Sequence, residues 1–533
     1  MSVTEADVLV VGGGLGGVAA ALAALRRGRT VLLTEETDWL GGQLTSQGVP
    51  PDEHPWIEQF GATRSYRRLR EAIRDYYRKW YPLTRSAREK ADLNPGQGTV
   101  SRLCAEPRVA AAVLEAMVAP YLAAGRLTVL HRHRPVSATV DGDRITSVTF
   151  TFAETEITLS GRYILDATEL GDLLPLAGVE HVTGFEPALE TGEPSAPAVA
   201  QPANMQAFSW VFAVEHRDGE DHTIDRPAEY GFWRDYRPPF WPGPLIGLTA
   251  PDPRTLEPVT RRFVPHAVTG PLVADQSLDA GDKDLWVFRR IVSRELFEPG
   301  FAASDVTIVN WPMIDYLPGP LIGVTDAERD KHLDGARGQA LSMLYWLQTE
   351  APRPDGGTGW RGLRLRPDVM GTADGLAKAP YIRESRRIRA RYTVVEQDLS
   401  LAVRGSRGAV SYPDSVGVGM YRIDLHPSTG GDNYIDVGSC PFQIPLGALL
   451  PQRVENLLAA GKNLGTTHIT NGCYRLHPVE WNAGEAAGAL AAHCLAHGYT
   501  PAQVHATPAL LDEFRSSLVD DGFELAWPTV RGY

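Results

Sequence analysis

The chain has 533 residues, a net charge of -13, and 43% hydrophobic against 22% charged residues. That length exceeds what one hydrophobic core serves, so two domains or more are expected, and the apolar-to-charged balance is that of an ordinary globular protein. An acidic chain without an uninterrupted basic block is a poor nucleic-acid or anionic-membrane binder, because phosphate binding needs clustered cations, and the basic runs at 67–70 and 383–391 are flanked or interrupted by acidic residues.

The N-terminal stretch lacks the basic start, apolar run and small-residue cleavage site of a signal peptide. No run of about 18 apolar residues occurs, so no transmembrane helix is expected. The four cysteines, Cys104, Cys440, Cys473 and Cys494, form no CxxC pair. That pattern suggests neither zinc nor a dithiol, and so few cysteines suit a reducing compartment. A cytoplasmic protein is the expectation.

Residues 7–11 are a β-branched run read as a buried parallel strand. Gly12, Gly13, Gly14, Leu15, Gly16 and Gly17 follow and fit GxGxxG at Gly12, Gly14 and Gly17. An Ala-rich helix over 18–27 ends at Gly28, and residues 30–34 make a second strand. Strand, glycine loop, helix and strand in this order form a dinucleotide-binding unit: the first glycine permits the turn, the second admits a pyrophosphate, and the third packs helix on strand. The helix N-terminus offers amide hydrogens and a positive dipole to phosphate. Glu35 ends the second strand, where a carboxylate accepts hydrogen bonds from ribose hydroxyls.

Residues 38–46, DWLGGQLTS, resemble the Leu-Gly-Gly loop of FAD-dependent oxidoreductases related to glutathione reductase. The resemblance implies FAD rather than NAD, with Glu36, Gly41, Gly42 and Gln43 joining Glu35 at the cofactor. A helical insertion is expected over about 50–95, with helical spacing from 63 to 81, and a second helix over 109–124. Residues 127–136 alternate into strands over 138–140 and 145–152, a β-meander. His131 and His133 share a strand face but have no third ligand in view, so no metal is expected. In the flavoprotein class the adenine lies near the entry to the meander, which makes Val136 a cofactor candidate. The segment 163–172, YILDATELGD, resembles the Asp-Ala-Thr-Gly turn that closes over the FAD phosphates, with Ala167 and Thr168 in place and Glu169 where glycine is usual.

Near the C-terminus, 454–463 runs from a strand into a turn at Gly461, Lys462 and Asn463. Many flavoproteins have aspartate where Lys462 stands, so a cationic contact to phosphate replaces a carboxylate one. A small-residue helix opens at 477–488 and runs to 493, with Pro478 in its first turn. Its N-terminus, with Val479, is expected to face the flavin, where the dipole stabilises negative charge on the reduced ring. The glycine run 357–362 also fits GxGxxG, but prolines precede it and no helix leaves it, so it is read as a loop.

Taken with YIRESRRI at 381–388, YRIDLH at 421–426 and NLLAAGKNLGTTHITNGCYRLHPVEWNAGEAAG at 456–488, these motifs resemble the bacterial FAD-dependent oxidoreductases of the FAD-oxidored family. The resemblance implies an α/β fold. A Rossmann-type FAD-binding domain, parallel sheet plus meander, would come from 1–181 and 441–533. An α+β substrate or cap domain with a mixed sheet would come from 182–440. Within that cap, strands are expected at 207–215 and 305–311 and a helix at 332–349.

Arg383, Arg386 and Arg387 are spaced for one helical face, an anion site or a salt-bridge stripe. With Arg422, Arg383 and Arg386 are the substrate-binding candidates. His426, His468 and His477 lie in segments that the resemblance places near the flavin, and histidine has the right pKa to take a proton as hydride leaves. Arg475 and Tyr474 are candidates to bind an anionic substrate or steady the reduced ring. The function expected is an FAD-dependent dehydrogenase or oxidase for a small polar metabolite, passing electrons to oxygen or a carrier, in a possible homodimer. An NAD(P)H-fed reductase or monooxygenase and a non-redox flavin-binding protein are the alternatives.

Overall fold

The computed structural model describes residues 4–270 and 284–533. Residues 1–3, part of the stretch read against a signal peptide, and 271–283, inside the expected cap, lie outside the described residues.

The N-terminal strand β1 (Glu5–Val11) runs through the middle of a seven-stranded sheet, with Val8, Leu9, Val10 and Val11 fully buried. Helix α1 (Leu15–Arg26) and strand β2 (Val31–Glu35) follow. Strand β3 (Leu127–His131) extends the parallel sheet at β2, and β4 (Arg134–Asp141), β5 (Arg144–Phe152) and β6 (Thr155–Asp166) form the meander. The twelve-residue β6 belongs to both parts. Its first half pairs antiparallel with β5, and its second half runs parallel between β1 and the strand Leu457–Ala459. Val11 pairs with Thr34 and Asp166, and Ala459 also with Asp166. With His131 of β3 beside Glu35, five parallel strands therefore end along one edge, the side on which α/β sheets bind ligands.

The helix expected from 63 is α2 (Arg64–Trp80), opened by the Thr63 hydroxyl accepting from the Tyr66 amide. Its polar face is buried because carboxylates meet it. Arg70 pairs with Glu53 at 2.9 Å and Glu58 at 2.7 Å, and the Tyr66 hydroxyl donates to Glu53 at 2.8 Å. The next helix spans Pro107–Ala123.

The middle of the chain supplies a four-stranded antiparallel sheet, ordered Arg290–Val292, Val306–Val309, Phe212–His216 and Leu363–Leu365. The long helix Asp326–Thr349 carries a Thr325–Glu328 capping box and ties to this sheet through Gln348, whose amide donates to Leu363 O at 2.8 Å. The whole is a mixed α/β fold with a parallel-dominated Rossmann-type sheet and separate antiparallel sheets.

Three local expectations are corrected. Residues 127–136 are not one strand: Arg132 adopts a left-handed φ of 62° and turns the chain from the parallel sheet into the meander. The strand expected at 207–215 is broken. Phe208–Ser209 pairs with Asp315–Tyr316 and Phe212–His216 enters the four-stranded sheet, while Trp210 between them donates its indole N–H to Ala377 O at 2.9 Å. Most consequential, 383–387 is not helical, and Arg387–Ile388 pairs with His181–Val182 as a short strand. Without the helix the three arginines take separate partners: Arg383 pairs with Asp315, Arg386 with Asp172, and Arg387 with Glu186 and Glu384.

Helix α1 and the C-terminal helix His477–His497 meet at backbone contact. A Cβ on Gly484 would fall 2.0 Å from Gly16 O, and one on Gly488 would fall 2.1 Å from Ala20 O. Over-packing a tight contact costs about 1 to 3 kcal/mol or more. Gly488→Leu is therefore expected to lower unfolding free energy by at least about 3 kcal/mol, measured by denaturant titration; an unchanged midpoint would show that the helices have room to part.

Candidate functional site

A cleft of about 590 Å³ opens along the carboxyl edge of the parallel sheet. Gly12, Gly14 and Gly42 form its floor, with Ala167 and Thr168 from the end of β6. Glu35 and Glu36 mark one end, with Val136 from the entry to the meander. The far wall includes Arg329 and Leu333 of the long helix. Gly12 is held at φ 99°, and a Cβ there would lie 2.4 Å from Ala167 O. Only glycine takes that conformation without strain, and only a bare backbone allows the approach.

The remaining glycine-loop residues brace this floor from behind. Leu15, Gly16 and Gly17 are buried in the first turn of α1, and a Cβ on Gly17 would strike Gly12 O at 1.9 Å. Gly41, in a left-handed conformation at φ 111°, donates its amide to Gly13 O at 2.8 Å. Gly461 lies beside Ala167, and Asn463 donates its side-chain amide to Asp166 O at 3.0 Å. Val479 does not line the cleft; it is buried against Gly419. Glu35 accepts from the Gly13 amide at 3.0 Å and from the Thr37 hydroxyl at 2.7 Å. Burial outweighs these bonds and pushes its carboxyl up to about 7.

The charges around the phosphate loop form one chain. Lys462, 2% exposed, forms an ion pair with Glu169 and lies 3.6 Å from Glu480. Burial opposes its charge, but the two carboxylates hold the ammonium well above the ordinary lysine range. Glu169 Oε1 has no hydrogen-bond partner, and it rests on bare backbone, 2.5 Å from a Cβ built on Gly42 and 3.0 Å from one on Gly14. A carboxylate oxygen thus already sits in the cradle that the glycine pattern assigns to phosphate, so the cradle accommodates an anion beside a fixed cation. Glu480 accepts from the Gly16 amide at 3.3 Å, which makes it the negative charge at the start of α1. Gln43 hydrogen-bonds Glu480 and donates to Arg475 O at 3.1 Å. Arg475 in turn donates to the Tyr381 hydroxyl at 3.0 Å and to Asp424 O at 3.1 Å.

Asp424 faces a second cavity, of about 200 Å³, which His426, Arg422 and Tyr434 also line. Here stands an arrangement that no spacing in the sequence discloses. His426 Nδ1 lies 2.5 Å from Asp315 Oδ2, and Asp315 is 1% exposed. Asp315 Oδ1 accepts from Ser209 at 2.6 Å and pairs with Arg383 at 3.0 Å. Burial works against the Asp315 charge, but Arg383 and His426 hold its carboxyl below the ordinary range. Asp315 comes from a two-residue strand more than a hundred positions from His426, too short to carry a pattern.

The other sequence candidates have different work. Both ring nitrogens of His477 face backbone: Nδ1 accepts from the Asp52 amide at 3.1 Å and Nε2 meets Val49 O at 3.2 Å. Burial drives its pKa down to about 4, so it is a neutral strut with no free nitrogen. His468 stacks on Phe185, with ring centres 4.2 Å apart, and its Nδ1 lies 2.9 Å from Glu384. Tyr474 stacks on Phe442 and donates to Gln443 O at 2.6 Å. Arg383 is committed to Asp315, Ala207 O and Ser209, and so braces the dyad rather than facing substrate. Arg386 reaches the large cleft, paired with Asp172 at 3.0 Å, while Arg387 is fully buried between Glu384 and Glu186. Arg422 alone of the three substrate candidates lines the smaller cavity, paired with Asp436. Cys473 is buried with its sulfur toward Thr470 O, and burial raises its thiol pKa well above the ordinary range.

The depressed pKa of His477 has a signed consequence. The unfolded imidazole takes a proton near 6.5 and the folded one near 4. The stability it contributes is therefore complete above 6.5 and is lost as pH falls toward 4. That amounts to about 3 kcal/mol over the window. Wild type minus His477→Asn unfolding free energy should fall across this range; a flat difference would refute the neutral assignment.

The FAD dependent oxidoreductase family matches residues 7–518. No curated protein matches the chain. Among solved structures it is similar to Mycobacterium smegmatis Sdh1 in complex with UQ1, at 12% identity over 32% of this chain and 34% of that one, with a TM-score of 0.23. It is likewise similar to the 3-ketosteroid-delta4-(5alpha)-dehydrogenase of Rhodococcus jostii RHA1, at 17% over 32% and 48%, TM-score 0.20. A third is the myxobacterial chondrochloren halogenase CndH, at 18% over 41% and 45%, TM-score 0.21. The matched part spans about a third to a half of those chains, and likeness at that level does not bear on the reaction. The family match runs instead from β1 through the strand Leu457–Ala459 and the C-terminal helices, the stretches that together build the anion-bearing cradle, and on that ground the chain belongs to the FAD-dependent oxidoreductase family and is an enzyme with FAD as its cofactor.

Proposed function

We propose that the enzyme is a dehydrogenase or oxidase acting on a small polar metabolite, with His426 as its general base. The observation that carries this reading is the Asp315–His426 pair at the wall of the smaller cavity. Asp315 accepts the Nδ1 proton of His426, which fixes the tautomer and leaves the lone pair on Nε2. Nε2 is then the atom that takes the hydroxyl or amine proton of a substrate whose adjacent carbon gives up hydride. The bound FAD supplies the hydride acceptor, through N5 of its ring. The products would balance as a carbonyl or imine, a protonated His426 and a two-electron-reduced cofactor, which oxygen or a carrier would reoxidise.

Residues of both cavities support the coupling. Arg475 ties Asp424, at the smaller cavity, to Gln43 and hence to Glu480 at the phosphate loop. Arg422 offers a cation for an anionic substrate group. Gly12, Gly14, Gly42, Ala167 and Thr168 would hold the pyrophosphate side with Lys462, and Glu35 the adenosine ribose. The glycine run at 357–362 lies in a loop before Leu363–Leu365, which disfavours a second dinucleotide fold for NAD(P)H.

General bases of this kind contribute about 10² to 10⁴ in rate. His426→Gln should therefore lower kcat by at least about a hundredfold in the flavin-loaded enzyme, with its flavin spectrum unchanged. A metabolite screen read by bleaching of the oxidised flavin identifies the substrate; bleaching by NADPH alone would replace this proposal with a reductase. Glu35→Gln should weaken FAD binding by about ten- to a hundredfold, the worth of a charged hydrogen bond. Equilibrium dialysis would show it, and unaltered FAD affinity would remove Glu35 from the adenosine site.

A further inference from the structure

The helix His477–His497, whose first turns brace the phosphate loop, carries an unassigned cluster at its other end. His493 and His497 stand four residues apart in the last turns, on one face. Their ring centres are 4.5 Å apart. Glu513, from the helix Pro508–Asp521, reaches across to His497 Nε2 at 3.7 Å. One ligand atom from each of the three side chains can be chosen so that all lie within 4.8 Å of one another. His493 is 5% exposed, and its Nε2 is buried without a hydrogen-bond partner.

A buried imidazole nitrogen without a partner costs free energy unless something binds it. Two histidines at i and i+4 present their rings side by side, which is how a helix offers two nitrogens to one ion. Zinc ligands sit about 2.0 to 2.2 Å from the metal, so closing this cluster onto an ion needs a movement of roughly 1.5 Å at most. His497 and Glu513 are 43% and 47% exposed at their side chains and free to make it. The C-terminal end of the helix adds its negative dipole, which favours a cation. Arg27, the nearby cation, is already paired with Asp521 at 2.8 Å.

We propose that His493, His497 and Glu513 form a binding site for a divalent ion of the zinc class, with a fourth position left to water. Imidazole and carboxylate ligands suit zinc, nickel and copper rather than magnesium or calcium, which prefer all-oxygen shells. The site is structural. Thirteen residues separate His493 from Glu480, about 20 Å along the helix, so the ion stands well away from the phosphate loop. It pins the helix Pro508–Asp521 to the helix that packs on α1.

The test uses the full-length, FAD-loaded protein, stripped with a chelator and titrated with zinc by calorimetry. One ion per chain should bind, the thermal midpoint should rise, and the flavin spectrum should stay constant. His497→Ala and Glu513→Gln, both at exposed positions that leave the core intact, should each weaken zinc binding at least tenfold and abolish the rise in midpoint. His493→Ala should do the same if it folds. Zinc affinity unchanged in both His497→Ala and Glu513→Gln would overturn the proposal. So would stoichiometric binding lost instead in His216→Ala, which would move the ion to the cluster of His216, Asp218 and His266.

Discussion

Backbone is pressed against backbone at four places around the first turn of α1, and the nucleotide site exists only because nothing intervenes. Gly12 abuts the carbonyl of Ala167, Gly17 abuts Gly12, Gly16 abuts Ala460, and Gly484 abuts Gly16. Each contact joins a different pair of chain segments. Together they hold the ends of β1 and β6, the turn after Leu457–Ala459 and the C-terminal helix in one knot of main chain. Side chains could not build it, because a single methyl group exceeds the space. The bare glycine backbone that the knot presents to the cleft, at Gly12 and Gly14, is what an anionic cofactor would meet.

Around that knot the protein places more acid than base. Glu35, Glu169 and Glu480 crowd the loop, and Lys462 is the buried cation among them. Burial raises the Glu35 and Asp166 carboxyls to about 7, so near neutrality each binds a proton part of the time. A similar economy governs the smaller cavity, where Arg383 compensates Asp315 and Arg475 stands against Asp424.

The nucleotide half of this site was legible because its chemistry is local. A glycine loop between a buried strand and a helix, a carboxylate at the next strand end and a Leu-Gly-Gly run all lie within one supersecondary unit, and their spacing survives in the fold. The returning segment at Gly461 was legible only through family likeness. The catalytic half was not local. Asp315 lies in a two-residue strand and His426 just past the strand Ile423–Leu425 of another sheet, and Glu384, between Arg383 and Arg386 in sequence, holds both Arg387 and His468. The error at 383–387 has one cause: spacing of i, i+3 and i+4 is compatible with a helix, but Asp315 holds Arg383, Asp172 holds Arg386, and Glu186 with Glu384 holds Arg387, in a chain that is not helical. Three histidines looked alike in sequence. Backbone contacts made one a strut, stacking and Glu384 held another, and only His426 kept a nitrogen turned toward a cavity.

The strand Leu457–Ala459 lies beside β6, some three hundred residues downstream of it. During synthesis, β1, β2, β3 and the meander leave the ribosome with one flank of β6 bare and the glycine loop unsupported. Pairings of such sequence separation are slow to form, and exposed strand edges invite association between nascent chains. Lys462 and the helix His477–His497, which complete the seat of the cofactor, are made only after the meander. The seat for FAD is therefore complete only once the segment around Leu457–Ala459 has paired with β6.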